Sequence, residues 1–190
     1  MTGQILNNPH FRPLEEKLRL RFGDDEAQRL TADIHDRLRN LLTLHANDAE
    51  DLKDESHGYI LPSIAIYQTL REKVGREGAL LIFREIYFVA AHQAAKSIGQ
   101  KAEDATYRQQ FLQMMIAKKH GARAGFDYRT IENTTTAVEF HVLRCPYVTY
   151  CQQYGCPELT PVFLRMRRCF LWAYPSASPV GTYKNVGAGT

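Results

Sequence analysis

Apolar residues recur every three or four positions through the first two thirds of the chain, then switch to alternation, so helices precede strands. Asp24 or Asp25 caps a predicted helix running to about Ala46, with Leu30, Ile34, Leu38, Leu41 and Leu42 on one face. The acid-rich stretch 47–56 reads as a solvated loop. Pro62 suits the first turn of a helix carrying Ile66, Leu70 and Val74, and Gly75 suits its stop. The segment 77–97 is apolar almost all round, leaving a polar stripe of Arg84, Glu85, His92 and Lys96, which predicts a helix in the middle of a bundle. Asp104 can cap one more helix, with Tyr107, Phe111, Met114 and Met115 inward and Gly121 at its end. The period then shortens to two. Strands are expected near 126–132 and 136–144, joined by a turn at Asn133-Thr134. Val138, Phe140 and Val142 share one face; Glu139, His141, Leu143 and Cys145 share the other. The fold class is α+β, an N-terminal helical bundle packed on a small C-terminal antiparallel sheet. Residues 1–163 form a single domain, helical over 12–121 and carrying the sheet and a Cys-Pro-Tyr helix over 126–163. Residues 164–190 form an irregular tail.

Size and charge narrow the function. A chain of 190 residues with 44% hydrophobic and 24% charged residues can bury one core. No window is apolar enough for a membrane span, and the first residues lack the regions of a signal peptide, so a cytoplasmic protein is expected. The formal charge of +3 leans on Arg165, Arg167, Arg168 and Lys184 in a tail without acids; the remainder is 3 − 4 = −1. That leaves no basic surface for nucleic acid. A small-molecule substrate is the expected partner, with neither nucleic acid nor membrane.

Candidate chemistry gathers where the second strand ends. Cys145-Pro146-Tyr147 precedes a short predicted helix over 148–154 that Gly155 stops. Proline favours the first helical position, placing Cys145 at or near the N-cap, where backbone amides and the helix dipole favour thiolate. Cys145 is the candidate nucleophile; a buried structural cysteine is the alternative. Arg144 adds positive charge, with its side chain starting on the opposite strand face. A direct Cys145–His141 dyad is disfavoured, because four residues of strand span about 13 Å. His141 is therefore a pocket-wall residue or a satisfied polar one, and His35 and His45 read as ordinary helix-surface residues. Cys145, Cys151 and Cys156 match no zinc or iron–sulfur spacing, and their sulfurs are not expected to converge. No metal and no cofactor is assigned.

The stretches Glu139-Phe-His-Val-Leu-Arg-Cys-Pro-Tyr147 and Gly155-Cys-Pro-Glu-Leu159, with Leu61-Pro-Ser-Ile-Ala-Ile-Tyr67 upstream, resemble the L-2-amino-thiazoline-4-carboxylic acid hydrolase family over roughly residues 40–163. The resemblance implies a hydrolase acting on C–N bonds, which opens a cyclic amidine of the 2-amino-thiazoline-4-carboxylate type to a carbamoyl-cysteine. In that reading Cys145 is catalytic, and His141, Arg144 and Tyr147 bind substrate. The family pattern continues with a second Cys, an Asp and an Arg-Thr-x-Thr-Leu strand, and the chain after Phe163 lacks all of them. Back-translating the tail and deleting one C after the Phe163 codon allows the frame F-C-E-C-D-D-A-F-Y-G-H-I-Q-A-P-A-Q-W-E-R-T-K-T-L-G-R-G, which restores these elements in order. The tail therefore reads as frameshifted and the activity as impaired. The competing class is a non-catalytic metal- or small-ligand-binding domain that uses the clustered cysteines.

Overall fold

The computed structural model describes residue 8 and residues 11–101, 125–133 and 138–163; within these, side chains at 90–101, 128–133 and 138–141 are left undescribed. Helix α1 (Leu14–Phe22) ends at Gly23, and α2 (Asp24–Leu44) follows at once. Helix α2 buries Ala27, Leu30, Ile34, Leu38 and Leu41. This is the face that the sequence period marks, with Leu42 partly buried at its edge. Three acids in the first turn of α2 complement the positive end of its dipole.

The stretch expected to be a solvated loop is built otherwise. Glu50–Glu55 forms a helix, α3, and Ser56–Ile60 continues it as a π-helical turn, whose widened ring is closed by the Leu61 N–H donating to the Ser56 carbonyl. Helix α4 (Leu61–Lys101) follows directly. Pro62 therefore lies inside a continuing helix and does not open a separate one. Proline cannot donate to the carbonyl four residues back. Here the Asn8 side-chain amide donates to that carbonyl, Gly58 O, at 2.6 Å. Gly75 breaks α4 with φ +75° and ψ 176°, a conformation open to glycine and strained for other residues, so the expected stop is a kink between two helices.

Helix α2 packs along α4, with α1 against both. Phe83 stacks on Tyr87 at 5.1 Å between ring centroids, and Phe163 meets Tyr87 edge-on at 5.6 Å, so the C-terminal segment joins the same core as the long helix. Arg84 and Glu85 of the polar stripe are half-buried, and Glu85 accepts from Arg21 at 2.7 Å. His92 and Lys96 have undescribed side chains, and the helix expected after Asp104 lies outside the described residues.

Strands β1 (Asp127–Asn133) and β2 (Val138–Arg144) pair antiparallel, with Tyr128 opposite Val142 and Arg129 opposite His141. They form a two-stranded ribbon with two register irregularities. The described residues are otherwise mostly helical, so the bundle part of the α+β expectation stands, while a sheet layer beneath it is not shown. Helix α5 (Pro146–Gln153), a short 3-10 turn (Pro157–Leu159) and helical residues 160–163 close the described chain.

Candidate functional site

Cys145 has extended backbone angles (φ −135°, ψ 121°), and Pro146 occupies the first turn of α5, so the cysteine is the N-cap. Its carbonyl starts the helix by accepting from the Thr149 N–H at 3.1 Å and the Thr149 hydroxyl at 3.2 Å. Cys145 is half-buried and packs at the edge of the core. Arg144, one residue earlier, is exposed at the strand end. His141 lies on β2, and its side chain is outside the described residues. Tyr147 is buried, its ring between Phe126 and Phe163 at 6.4 and 4.8 Å. The Tyr147 hydroxyl donates to the carboxylate of Glu55, itself buried at the junction of α3 and the π turn. The structure thus brings Cys145 and Tyr147 to one helix end and adds Glu55, which sequence reasoning placed in solvent.

The other end of α5 holds the remaining thiols. The helix closes in a Schellman motif: Cys156 N donates to Cys151 O at 2.8 Å, Gly155 N donates to Gln152 O at 3.1 Å, and Gly155 has φ +64°. In that motif the residue after the glycine touches the residue five before it, and both positions are cysteines here. Cys151 and Cys156 are both fully buried, and the Cys151 thiol donates to the Cys156 sulfur. This donation and burial push the Cys151 thiol up, while the same hydrogen bond, helped by the Arg71 guanidinium, draws the Cys156 thiol down against burial and the Glu158 carboxylate. The Cys145 sulfur is close enough to Cys151 to oppose its ionisation. Two of the three sulfurs, Cys151 and Cys156, meet, a pairing that the sequence reading did not foresee because a glycine C-cap was not weighed as a device for bringing side chains together. Among the described residues there is no disulfide and no group of three side chains placed to hold a metal ion.

Two polar networks flank α5. Glu158, on the 3-10 turn, accepts from the Tyr67 hydroxyl and lies 3.4 Å from Arg76 Nε and 4.0 Å from Arg71 Nη1. Burial pushes its carboxyl up, but the phenol and the two guanidiniums outweigh this and hold it below the usual range. Across the helix, His45 Nδ1 lies 3.1 Å from Asp48, and His45 Nε2 lies 2.6 Å from the Tyr154 hydroxyl. Tyr150 and Ser56 also donate to Asp48. Burial together with the Asp48 carboxylate pushes the Tyr150 phenol up. His45 is therefore largely buried and holds the end of α2 to α5; it is not an ordinary surface histidine. His35 is half-buried with its Nε2 enclosed. The signal for His45 lay in the i, i+4 spacing of Tyr150 on α5 and Tyr154 at its C-cap, a polar face turned inward.

A cleft of about 340 Å³ opens beside the π turn, lined by Phe11, Leu38, Leu42, Lys53, Asp54 and His57 among others. Cys145 does not line it. We take the cysteine end of α5 as the chemical site, since the cleft carries no nucleophile.

Geometry defines the class as a helical, thiol-bearing domain with a half-buried cysteine at a helix N-terminus. Within that class the chain belongs to the L-2-amino-thiazoline-4-carboxylic acid hydrolase family, whose family model matches residues 54–178. The match starts at the end of α3, takes in Glu55 and all three described cysteines, and runs 178 − 163 = 15 residues beyond Phe163. Neither the curated proteins nor the solved structures contain a match. No described helix is long and apolar enough to cross a membrane.

Proposed function

We propose that this protein is a hydrolase that opens a cyclic amidine of the 2-amino-thiazoline-4-carboxylate type to a carbamoyl-cysteine, with Cys145 as nucleophile. The observation that carries this reading is Cys145 at the N-cap of α5, half-buried and inside the matched family segment. The amidine carbon between sulfur and nitrogen is electrophilic. Thiolate attack there gives a tetrahedral adduct, the ring C–N bond opens as its nitrogen takes a proton, and water releases the product from the sulfur. The α5 amides favour the thiolate. Arg144, exposed beside Cys145, supplies a cation for the substrate carboxylate, His141 lines the substrate, and Tyr147, buried with its hydroxyl on Glu55, backs the site wall. Reduced thiols and a small substrate suit a cytoplasmic setting.

In the same reading the chain after Phe163 is out of frame. The restored frame supplies the second Cys, the Asp and a further strand beside the β1–β2 ribbon, completing a small sheet, so the present form is impaired. The family match beyond Phe163 weighs against this part of the reading and leaves the Cys145 assignment intact.

The test is direct. The chain is incubated with 2-amino-thiazoline-4-carboxylate and the carbamoyl-cysteine is measured by mass spectrometry. Slow turnover is expected from the full chain and none from Cys145→Ser. Arg144→Ala is expected to raise KM roughly tenfold to a hundredfold, the equivalent of about 1.5–3 kcal/mol for a hydrogen bond to a charged group. Turnover that persists in Cys145→Ser removes the nucleophile from this account.

A further inference from the structure

We propose that Cys151 and Cys156 form a redox-active dithiol, a modification site that a hydroperoxide converts to an intramolecular disulfide. This goes beyond the hydrolase reading and does not depend on it.

The argument starts from the helix cap. A Schellman motif commonly carries an apolar contact between the residue after its glycine and the residue five earlier. Here both positions are thiols, fully buried and near enough for each to shift the ionisation of the other. The 2.8 Å bond from Cys156 N to Cys151 O ties the two backbones together, and a disulfide spans Cα separations of about 4.4–6.8 Å. Bridging therefore needs a rotation of side chains, together with a local opening at residues 155–160 that admits the peroxide to the buried sulfurs.

The surroundings make the two thiols unequal, as oxidation requires. Arg71 Nη1 donates to the Gly155 carbonyl at 2.7 Å, which holds its positive charge beside Cys156; burial and the Glu158 carboxylate act against the thiolate there, and the Cys151 S–H outweighs them. Thr160, half-buried nearby, acts weakly in the opposite sense on Cys151, whose thiol is held up by its contact with Cys156 and by burial. Cys156 is thus the attacking thiol and Cys151 the resolving one. Cys156 thiolate attacks the peroxide oxygen, the O–O bond breaks and an alcohol (water, for hydrogen peroxide) leaves, giving a sulfenic acid. The Cys151 sulfur then displaces the hydroxyl as water. Two thiols and one hydroperoxide give one disulfide, one alcohol and one water.

The experiment uses the full reduced chain and hydrogen peroxide. After acid quenching, the protein is unfolded, alkylated, digested and mapped by fragment ions within the peptide that carries all three thiols. The expected product joins Cys151 to Cys156, lighter by two hydrogens, and dithiothreitol restores both thiols. Cys145→Ser should form the same bridge. Cys156→Ser should leave Cys151 fully alkylated. Full alkylation of both thiols after peroxide, or a bridge from Cys145 or Cys169 to either of them, overturns the proposal. The wild-type map decides the matter even where a variant fails to fold.

Discussion

Glu55 is where burial and charge conflict most sharply. It is 5% exposed, in a helix, α3, whose other acids face water, and its carboxylate accepts from the equally enclosed Tyr147 hydroxyl. A buried polar group left without its partner costs about 1–3 kcal/mol. Glu55→Ala should therefore lower the unfolding free energy by roughly that amount, read from urea titrations at unchanged slope. Glu55→Gln keeps an acceptor for the phenol and should lose less. Equal losses would show that the charge, rather than the hydrogen bond, is what the fold uses. Asp48 offers a pH test. Burial pushes its carboxyl up, but hydrogen bonds from Tyr150 and His45, with the charges of His45 and His57, outweigh this and depress it. A depressed carboxylate stabilises the fold fully above its unfolded pKa of about 3.9 and loses that contribution as pH falls through the lower folded value. The Tm gap between the protein and Asp48→Asn should therefore be full at neutral pH and close in acid. A gap that stays constant down to pH ~2 would show that the Asp48 charge is not what holds α2 to α5.

Elements differ in how openly the chain announces them. The buried face of α2, the break at Gly75, the paired strands and the position of Cys145 at a helix start all follow from local period, glycine and proline. The helix α3 and the π turn do not. Glu55 of α3 and Asp48 just before it look solvated because the donors that satisfy them, Tyr147 and Tyr150, stand 92 and 102 residues away. No window of sequence contains both halves of such a pair. Pro62 misleads for the same reason, since the Asn8 amide that covers the Gly58 carbonyl is 50 residues from it. The end of α5 was legible only in part: Gly155 marked the stop, while the contact of Cys151 with Cys156 needed the 6→1 geometry of the cap. That cap gives a prediction of its own. A Cβ at Gly155 would meet nothing within 4 Å, so Gly155→Ala should cost only the strain of a left-handed backbone, about 1–2 kcal/mol. A loss well above that in thermal unfolding would mean that the thiol pair had come apart as well.

At the scale of the molecule, the aromatic chain from Phe83 through Tyr87 and Phe163 to Tyr147 decides what the C-terminal segment contributes. Phe163 is 3% exposed and meets rings from α4 and α5 together, so it is the last described residue and still part of the core. Truncating such a side chain costs about 3–5 kcal/mol, and Phe163→Ala should approach that range. Removing everything after Phe163 separates this contribution from that of the tail. If the tail is out of frame, its arginines and small residues meet no surface shaped for them, and a chain ending at Phe163 should unfold within about 0.5 kcal/mol of the full one, the ordinary spread for surface changes. Restoring the frame, by deleting one C after the Phe163 codon, should instead raise both stability and turnover of the cyclic amidine. The family match to residue 178 makes the opposite outcome concrete. A clear loss of stability on truncation, with no gain from the altered frame, would make 164–178 a working part of this fold as written, and the second thiol and acid would then have to be sought among Cys151, Cys156, Glu55 and Glu158.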